Sequence, residues 1–126
     1  MADRQVASRK AAERHGRRSE TLAALLLRLK FYRILGRRVR TRLGEIDLIA
    51  RAPSGVICFV EVKARADELH AADALGVSQR ARIARAAAQY LAARPQLAAK
   101  GARFDIVRVI PGRWPRHLRD AWRADD

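Results

Sequence analysis

Two short apolar segments in the middle of the chain carry charges where a buried strand should carry none. Gly44-Glu-Ile-Asp47-Leu-Ile and Val56 to Val62, the latter followed by Lys63, are rich in β-branched and aromatic residues and flank Pro53-Ser54-Gly55, so they read as the two strands of a hairpin. Glu45 and Asp47 interrupt the first strand, Glu61 and Lys63 the second. Charge inside a strand costs free energy unless it is paired or holds an ion, so this quartet limits the admissible folds more than any other feature.

The turn sets the register. Proline fixes φ at one loop position and glycine supplies positive φ at another, as a three-residue hairpin loop demands. Ala52 then stands opposite Val56, and counting back at constant sum sets Leu48 against Val60, Asp47 against Glu61 and Glu45 against Lys63. All four charges fall on one face of the sheet, and a slip of one residue would scatter them. Two carboxylates directly across an antiparallel pair lie roughly 5 Å apart and repel by about 3 kcal/mol at an effective dielectric near ~20.

Lys63 offsets part of that repulsion, and a divalent cation held by Asp47 and Glu61 would offset more. Mg²⁺ (or Mn²⁺) suits two carboxylates completed by water and phosphate. Mg²⁺ or Mn²⁺ is the better expectation than zinc, because the chain has three histidines and one cysteine without zinc-ligand spacing. A metal-bound water becomes more acidic, and Lys63 could orient it or stabilise charge developing on phosphorus, which is the chemistry of phosphodiester hydrolysis. A buried salt-bridge network of Asp47, Glu61 and Lys63 without turnover gives the same pattern. Glu45, beside Gly44 at a strand start, reads more simply as a solvated carboxylate or a partner of Lys63.

The remaining sequence supplies elements around this hairpin. With 126 residues, 49% of them hydrophobic, the chain suits one domain with one modest core. Residues 1–15 read as a basic flexible arm and 16–126 as the domain. Leucines 22, 25, 26 and 29 fall at helical spacing, predicting a helix from Arg18 to Lys30 with that stripe inward. Phe31 to Thr41 reads as an edge strand, Asp67 to Gly76 as a loop, and Ser78 as the N-cap of a helix whose stripe is Ile83, Ala87, Tyr90 and Leu91 and which ends at Pro95. Phe104 to Ile110 is a further strand. Trp114 to Arg123 reads as a short C-terminal helix with both tryptophans as packing anchors. The predicted order is αβββαβ, an α/β fold. Cys58 reads as a packed thiol, and the absence of a long apolar run predicts a soluble, cytoplasmic protein with no membrane partner.

Charge points to a partner. Lysine and arginine total 27 against 13 acids, a net +14, and only four of the 27 are lysines. Arginine forks suit bidentate phosphate contacts, although a high-GC genome would also favour arginine. Arg28, Arg33, Arg37, Arg38, Arg40 and Arg42 have no acid between Glu20 and Glu45 to neutralise them, predicting a phosphate-tracking rim; solvated arginines on an edge strand are the plainer reading. No aromatic ladder is interleaved for single strands, which favours duplex or branched nucleic acid. His15, His70 and His117 stand isolated and read as solvated or locally hydrogen-bonded.

On these residues the sequence resembles the YraN family of uncharacterised bacterial proteins, placed in the PD-(D/E)XK nuclease superfamily. The likeness runs from Gly16-Arg-Arg-Ser-Glu20 through Tyr32-Arg-Ile-Leu, Gly44-Glu-Ile-Asp-Leu-Ile, Phe59-Val-Glu-Val-Lys63 and Arg65 to Arg103-Phe-Asp-Ile-Val and His117-Leu-Arg-Asp-Ala-Trp122. It implies a restriction-endonuclease-like core, similar to that of tRNA endonucleases, with a mixed sheet flanked by helices. It also implies that Asp47 and Glu61 hold the metal, that Lys63 is the catalytic lysine and that Glu20 reaches the site from the first helix; the helical wheel alone leaves Glu20 in solvent. Ser19 and Phe31 stand where that family has glycine, Arg38 where it has asparagine, and Gln79 where it has a basic residue. By analogy with related nucleases Gln79 could support the site.

The expectation is therefore a metal-dependent nuclease, a DNA endonuclease rather than one acting on RNA. The alternative is a non-catalytic nucleic-acid-binding module that keeps the fold. A homodimer would suit cutting two strands, although no segment marks a dimer surface.

Overall fold

A computed structural model describes residues 2–64 and 76–124, with residues 2–15 as backbone only. Arg65, His70 and the loop expected at Asp67 to Gly76 lie mostly or wholly outside the described residues. Helix α1 (Ala2–Leu29) leads into strands β1 (Arg33–Thr41), β2 (Gly44–Arg51) and β3 (Ile57–Lys63); helices α2 (Val77–Ala92) and α3 (Pro95–Ala98) precede β4 (Ala102–Arg108) and β5 (Arg116–Trp122). The strands form one mixed sheet in the order β1-β2-β3-β4-β5, with every pair antiparallel except β3 and β4, which are parallel. Only that parallel pair needs a crossover, and α2 with α3 supplies it. The chain is α/β, a five-stranded mixed sheet flanked by helices, as expected of a restriction-endonuclease-like core.

The sheet separates two apolar layers. Leu48, Ala50, Cys58, Val60, Val107 and Val109 pack with α1, whereas Ile49, Ile57, Phe59 and Ile46 pack with Ala86, Ala87 and Tyr90 of α2. The hairpin has the predicted register: Leu48 pairs with Val60, Ala50 with Cys58, and Gly55 takes φ 99° in the turn. Cys58 is fully buried, and burial pushes its thiol up to about 11.

Several expectations are corrected. The inward face of α1 is Ser19, Glu20, Ala23, Ala24, Leu26 and Leu27, leaving Leu22, Leu25 and Leu29 exposed. The short side chains of Ala23 and Ala24 let the helix lie close on the sheet, and that proximity outweighs the larger leucine stripe. Helix α2 starts after Gly76 without a side-chain cap, so Ser78 is not the N-cap. The C-terminal segment is the strand β5, not a helix: the edge of β4 needs a hydrogen-bonding partner, and pairing with it buries Trp122 on Phe104 at 4.1 Å between ring centroids. Trp114 is exposed rather than packed in the core.

Two non-glycine residues occupy left-handed backbone where the sequence resemblance has glycine and asparagine. Phe31, φ 68°, ends α1: its N–H donates to the Arg28 carbonyl, and that of Tyr32 reaches back to Leu27 at 2.9 Å, the paired bonds of a Schellman stop. Arg38, φ 49°, lies within β1. Gly36, at the β1 bulge, is required sterically, because a Cβ there would stand 2.6 Å from Val39 Cγ2.

Candidate active site

The ladder between β2 and β3 stops at Leu48 and Val60, although β2 begins at Gly44 and β3 continues beside β4 to the Lys63–Arg108 pair. The two strands therefore part. At the same level the β1–β2 ladder passes from Arg37↔Leu48 to Val39↔Ile46, omitting the step that holds Arg38 and Asp47. Ile46 packs toward α2 and Leu48 toward α1, although residues two apart on a regular strand share a face. Strand β2 changes faces at Asp47, and left-handed Arg38 in the adjoining strand β1 is the backbone distortion at the same level.

Asp47 fills the fork. Its Oδ2 accepts the backbone N–H of Val62 at 2.8 Å, replacing the strand carbonyl that has moved away. Glu61 lies beside it, 5% exposed, with Oε1 buried and without a hydrogen-bond partner. Burial first, then the Asp47 charge and a carboxyl–carboxylate hydrogen bond to it, raise the Glu61 pKa to about 9. The neutral acid is thus the form this environment favours. Alternation from Ile57 and Phe59 places Glu61 and Lys63 on the α2 face, and Lys63 Nζ points to Gln79 Oε1 of α2 at 3.5 Å. Gln79 lines a pocket of about 110 Å³ with Gly44, Glu45, Arg82, Ile83 and Ala86.

Glu20 approaches from the other layer. It is 8% exposed rather than solvated, and Arg38 Nε donates to its Oε2 at 2.6 Å. The charges of Glu20, Glu45 and Asp47 all act on that guanidinium and help raise its pKa, the Glu20 hydrogen bond most. Arg38 is therefore tied to Glu20 and also feels the Asp47 charge. The helical wheel missed this because the partner that makes burial tolerable comes from a strand eighteen residues away.

Glu45 does not meet Lys63. With the ladder ended, it is exposed and pairs with Arg40 at 3.6 Å. The six arginines do not form one rim. Arg37 donates to Thr21 Oγ1 at 2.9 Å and Arg38 to Glu20, both folding onto α1. Arg40 and Arg42 line a separate cleft with Tyr90 and Arg94, whereas Arg28 and Arg33 are simply exposed.

The carboxylates that could hold a cation are Asp47 and Glu61; among the described residues no group of three or more His, Cys, Asp or Glu is arranged to do so. The orphaned Glu61 oxygen beside a second carboxylate fits a hard divalent cation that keeps several waters. Among the described residues no helix is long and apolar enough to cross a membrane.

A second polar cluster escaped the sequence reading. Asp105, fully buried on β4, accepts from Arg103 at 2.8 and 2.9 Å and from His117 Nε2 at 2.7 Å. Of the two states expected of His117 it takes the hydrogen-bonded one, to partners distant in sequence and with its side chain buried. The Arg103-Phe-Asp and His117 motifs were its only sequence signal.

Comparison with known proteins follows the same residues. The profile of the uncharacterised protein family UPF0102 matches residues 19–109. A UPF0102 protein of Parvibaculum lavamentivorans is 53% identical over 90% of this chain and 84% of its own. Others from Mesorhizobium japonicum and Agrobacterium fabrum are 49% and 50% identical, over 97% and 95% of this chain and 97% and 98% of theirs.

Proposed function

This chain belongs to the uncharacterised protein family UPF0102, and on that premise we propose that it is a metal-dependent nuclease that hydrolyses phosphodiester bonds, with DNA the favoured substrate. The observation that carries the reading is the buried, unpartnered Oε1 of Glu61 next to Asp47 in the β2–β3 fork. A buried carboxyl oxygen left without a partner is costly in a protein that uses it for nothing.

Asp47 and Glu61 would hold Mg²⁺ or Mn²⁺, which when bound supplies Lewis acidity and a more acidic water. Lys63, on the same face as Glu61 and steadied by Gln79, places a positive charge where negative charge develops on the phosphoryl oxygens. Glu20 is a positioning residue: it fixes the Arg38 guanidinium, on which the Asp47 charge also acts. Exposed Arg28, Arg33, Arg40 and Arg42 and the net charge of +14 draw in a phosphate backbone.

Incubation of the purified chain with supercoiled and linear DNA and with RNA, with Mg²⁺, Mn²⁺ or chelator, tests the reading. Cleavage that requires metal and disappears in Asp47→Ala and Lys63→Ala supports it. The rival reading, a nucleic-acid-binding module without turnover, draws on the lack of a third carboxylate in the fork among the described residues. Salt-sensitive binding with no cleavage under any metal would establish that rival.

A further inference from the structure

The cluster on the opposite face of the sheet from Glu61 has the parts of an activated nucleophile. Asp105 accepts Arg103, His117 Nε2 and the Asp120 N–H, the last at 3.0 Å. Because Nε2 donates to a carboxylate, the neutral His117 ring carries its lone pair on Nδ1. Lys30 Nζ stands 2.6 Å from that nitrogen. Lys30 is half-buried and set there by the Schellman stop of α1, with the Tyr32 ring 5.8 Å away. Burial and the charges of Arg119 and Arg103 lower its pKa, against the opposing influence of Asp105. A partly buried lysine under the charge of neighbouring cations, with a base in hydrogen-bond reach and a carboxylate orienting that base, is the recurring arrangement of a reactive amine.

We propose that Lys30 is an acyl-acceptor site, modified on its ε-amine by an anionic acyl donor of the acyl phosphate class. The neutral amine attacks the carbonyl carbon and a C–N bond forms. The proton on the attacking nitrogen passes to His117 Nδ1, and the resulting imidazolium is stabilised by the Asp105 carboxylate at Nε2. The C–O bond to phosphate then breaks, and phosphate leaves with the electron pair. The Arg119 charge that acts on the amine favours a donor and leaving group of negative charge. The product is an amide and inorganic phosphate, with one proton returned to solvent from His117. Acylation removes a positive charge from the junction of α1 with β5 and is independent of the chemistry in the fork.

The chain contains four lysines, at positions 10, 30, 63 and 100, so each molecule carries its own controls. Exposed Lys100 is the reference. The folded full chain is treated with acetyl phosphate and site occupancy followed by peptide mass mapping. Lys30 is expected to acylate at least ~10-fold faster than Lys100, and His117→Gln, with its fold checked by circular dichroism, to bring it to the Lys100 rate. Unfolding the wild-type chain in urea should abolish the preference without any substitution. Equal rates for Lys30 and Lys100 in the folded protein, or a preference that survives in urea, would overturn the proposal.

Discussion

The Asp47 carboxylate accepts the Val62 N–H at 2.8 Å, one step past the last backbone pair between their strands. A side chain thus continues a ladder that the main chain has abandoned, and the same side chain is the one the proposed chemistry needs.

Asp47→Ala leaves the Val62 N–H without its acceptor and is expected to cost about 1–2 kcal/mol of stability. Asp47→Asn keeps an oxygen there and should unfold close to wild type while losing cleavage. Urea titrations of both variants beside the DNA assay separate the two roles; an alanine variant as stable as wild type would show that the bond contributes nothing.

Glu61 makes the metal-free fold sensitive to alkali. Its pKa is about 9 in the native state against an ordinary 4.5, so between those values the folded chain binds more protons than the unfolded one and stability falls as pH rises. Glu61→Gln removes that slope and should stabilise the metal-free protein at pH ~8 by about 1–3 kcal/mol. Urea midpoints measured from acid to alkaline pH check the sign.

Binding of Mg²⁺ would have to displace the Glu61 proton. Added Mg²⁺ is expected to raise the wild-type unfolding temperature more at alkaline than at acidic pH and to leave Glu61→Gln unmoved. A pH-independent shift, or one retained by the glutamine variant, would place the cation elsewhere.

Phe31 is 85% exposed and carries the left-handed backbone that stops α1. Phe31→Gly relieves that strain without losing a packed side chain and should stabilise the protein by about 1 kcal/mol, read as a raised midpoint in thermal unfolding.

Burial alone would raise the Asp105 pKa, but hydrogen bonds from His117 and Arg103 overcome it and lower the value to about 2. Its contribution to stability is therefore complete above the ordinary value near 3.8 and is lost as pH falls toward 2. Asp105→Asn should destabilise the chain by about 3 kcal/mol at neutral pH and flatten its acid-unfolding curve in that window.

The hairpin was legible because Pro53 and Gly55 dictate a loop and the loop dictates a register, both local matters. Its end was not. The parting of β2 from β3 is marked by Arg38 on a third strand, and constant-sum counting has no means of seeing it. The inward face of α1 was misread for a related reason: leucine outranks alanine in hydrophobicity, yet the sheet selects the face that can come nearest. β5 escaped because its tryptophan spacing suits a helix, whereas the edge of β4 required a strand. Glu20 looked solvated because Arg38, which satisfies it, lies far away in sequence, and for the same reason the sequence could not name Asp105 and Lys30 as the partners of His117.

Above the fork, β3 is stitched to β4 as far as Lys63, while β2 is stitched to β1 as far as Gly44. Each prong of the opening therefore belongs to a different half of the sheet. Flexing of one half against the other about the Leu48–Val60 pair would alter the span between Asp47 and Glu61 without any loop having to move, and the proposed cation site would then adjust to ions of different radius.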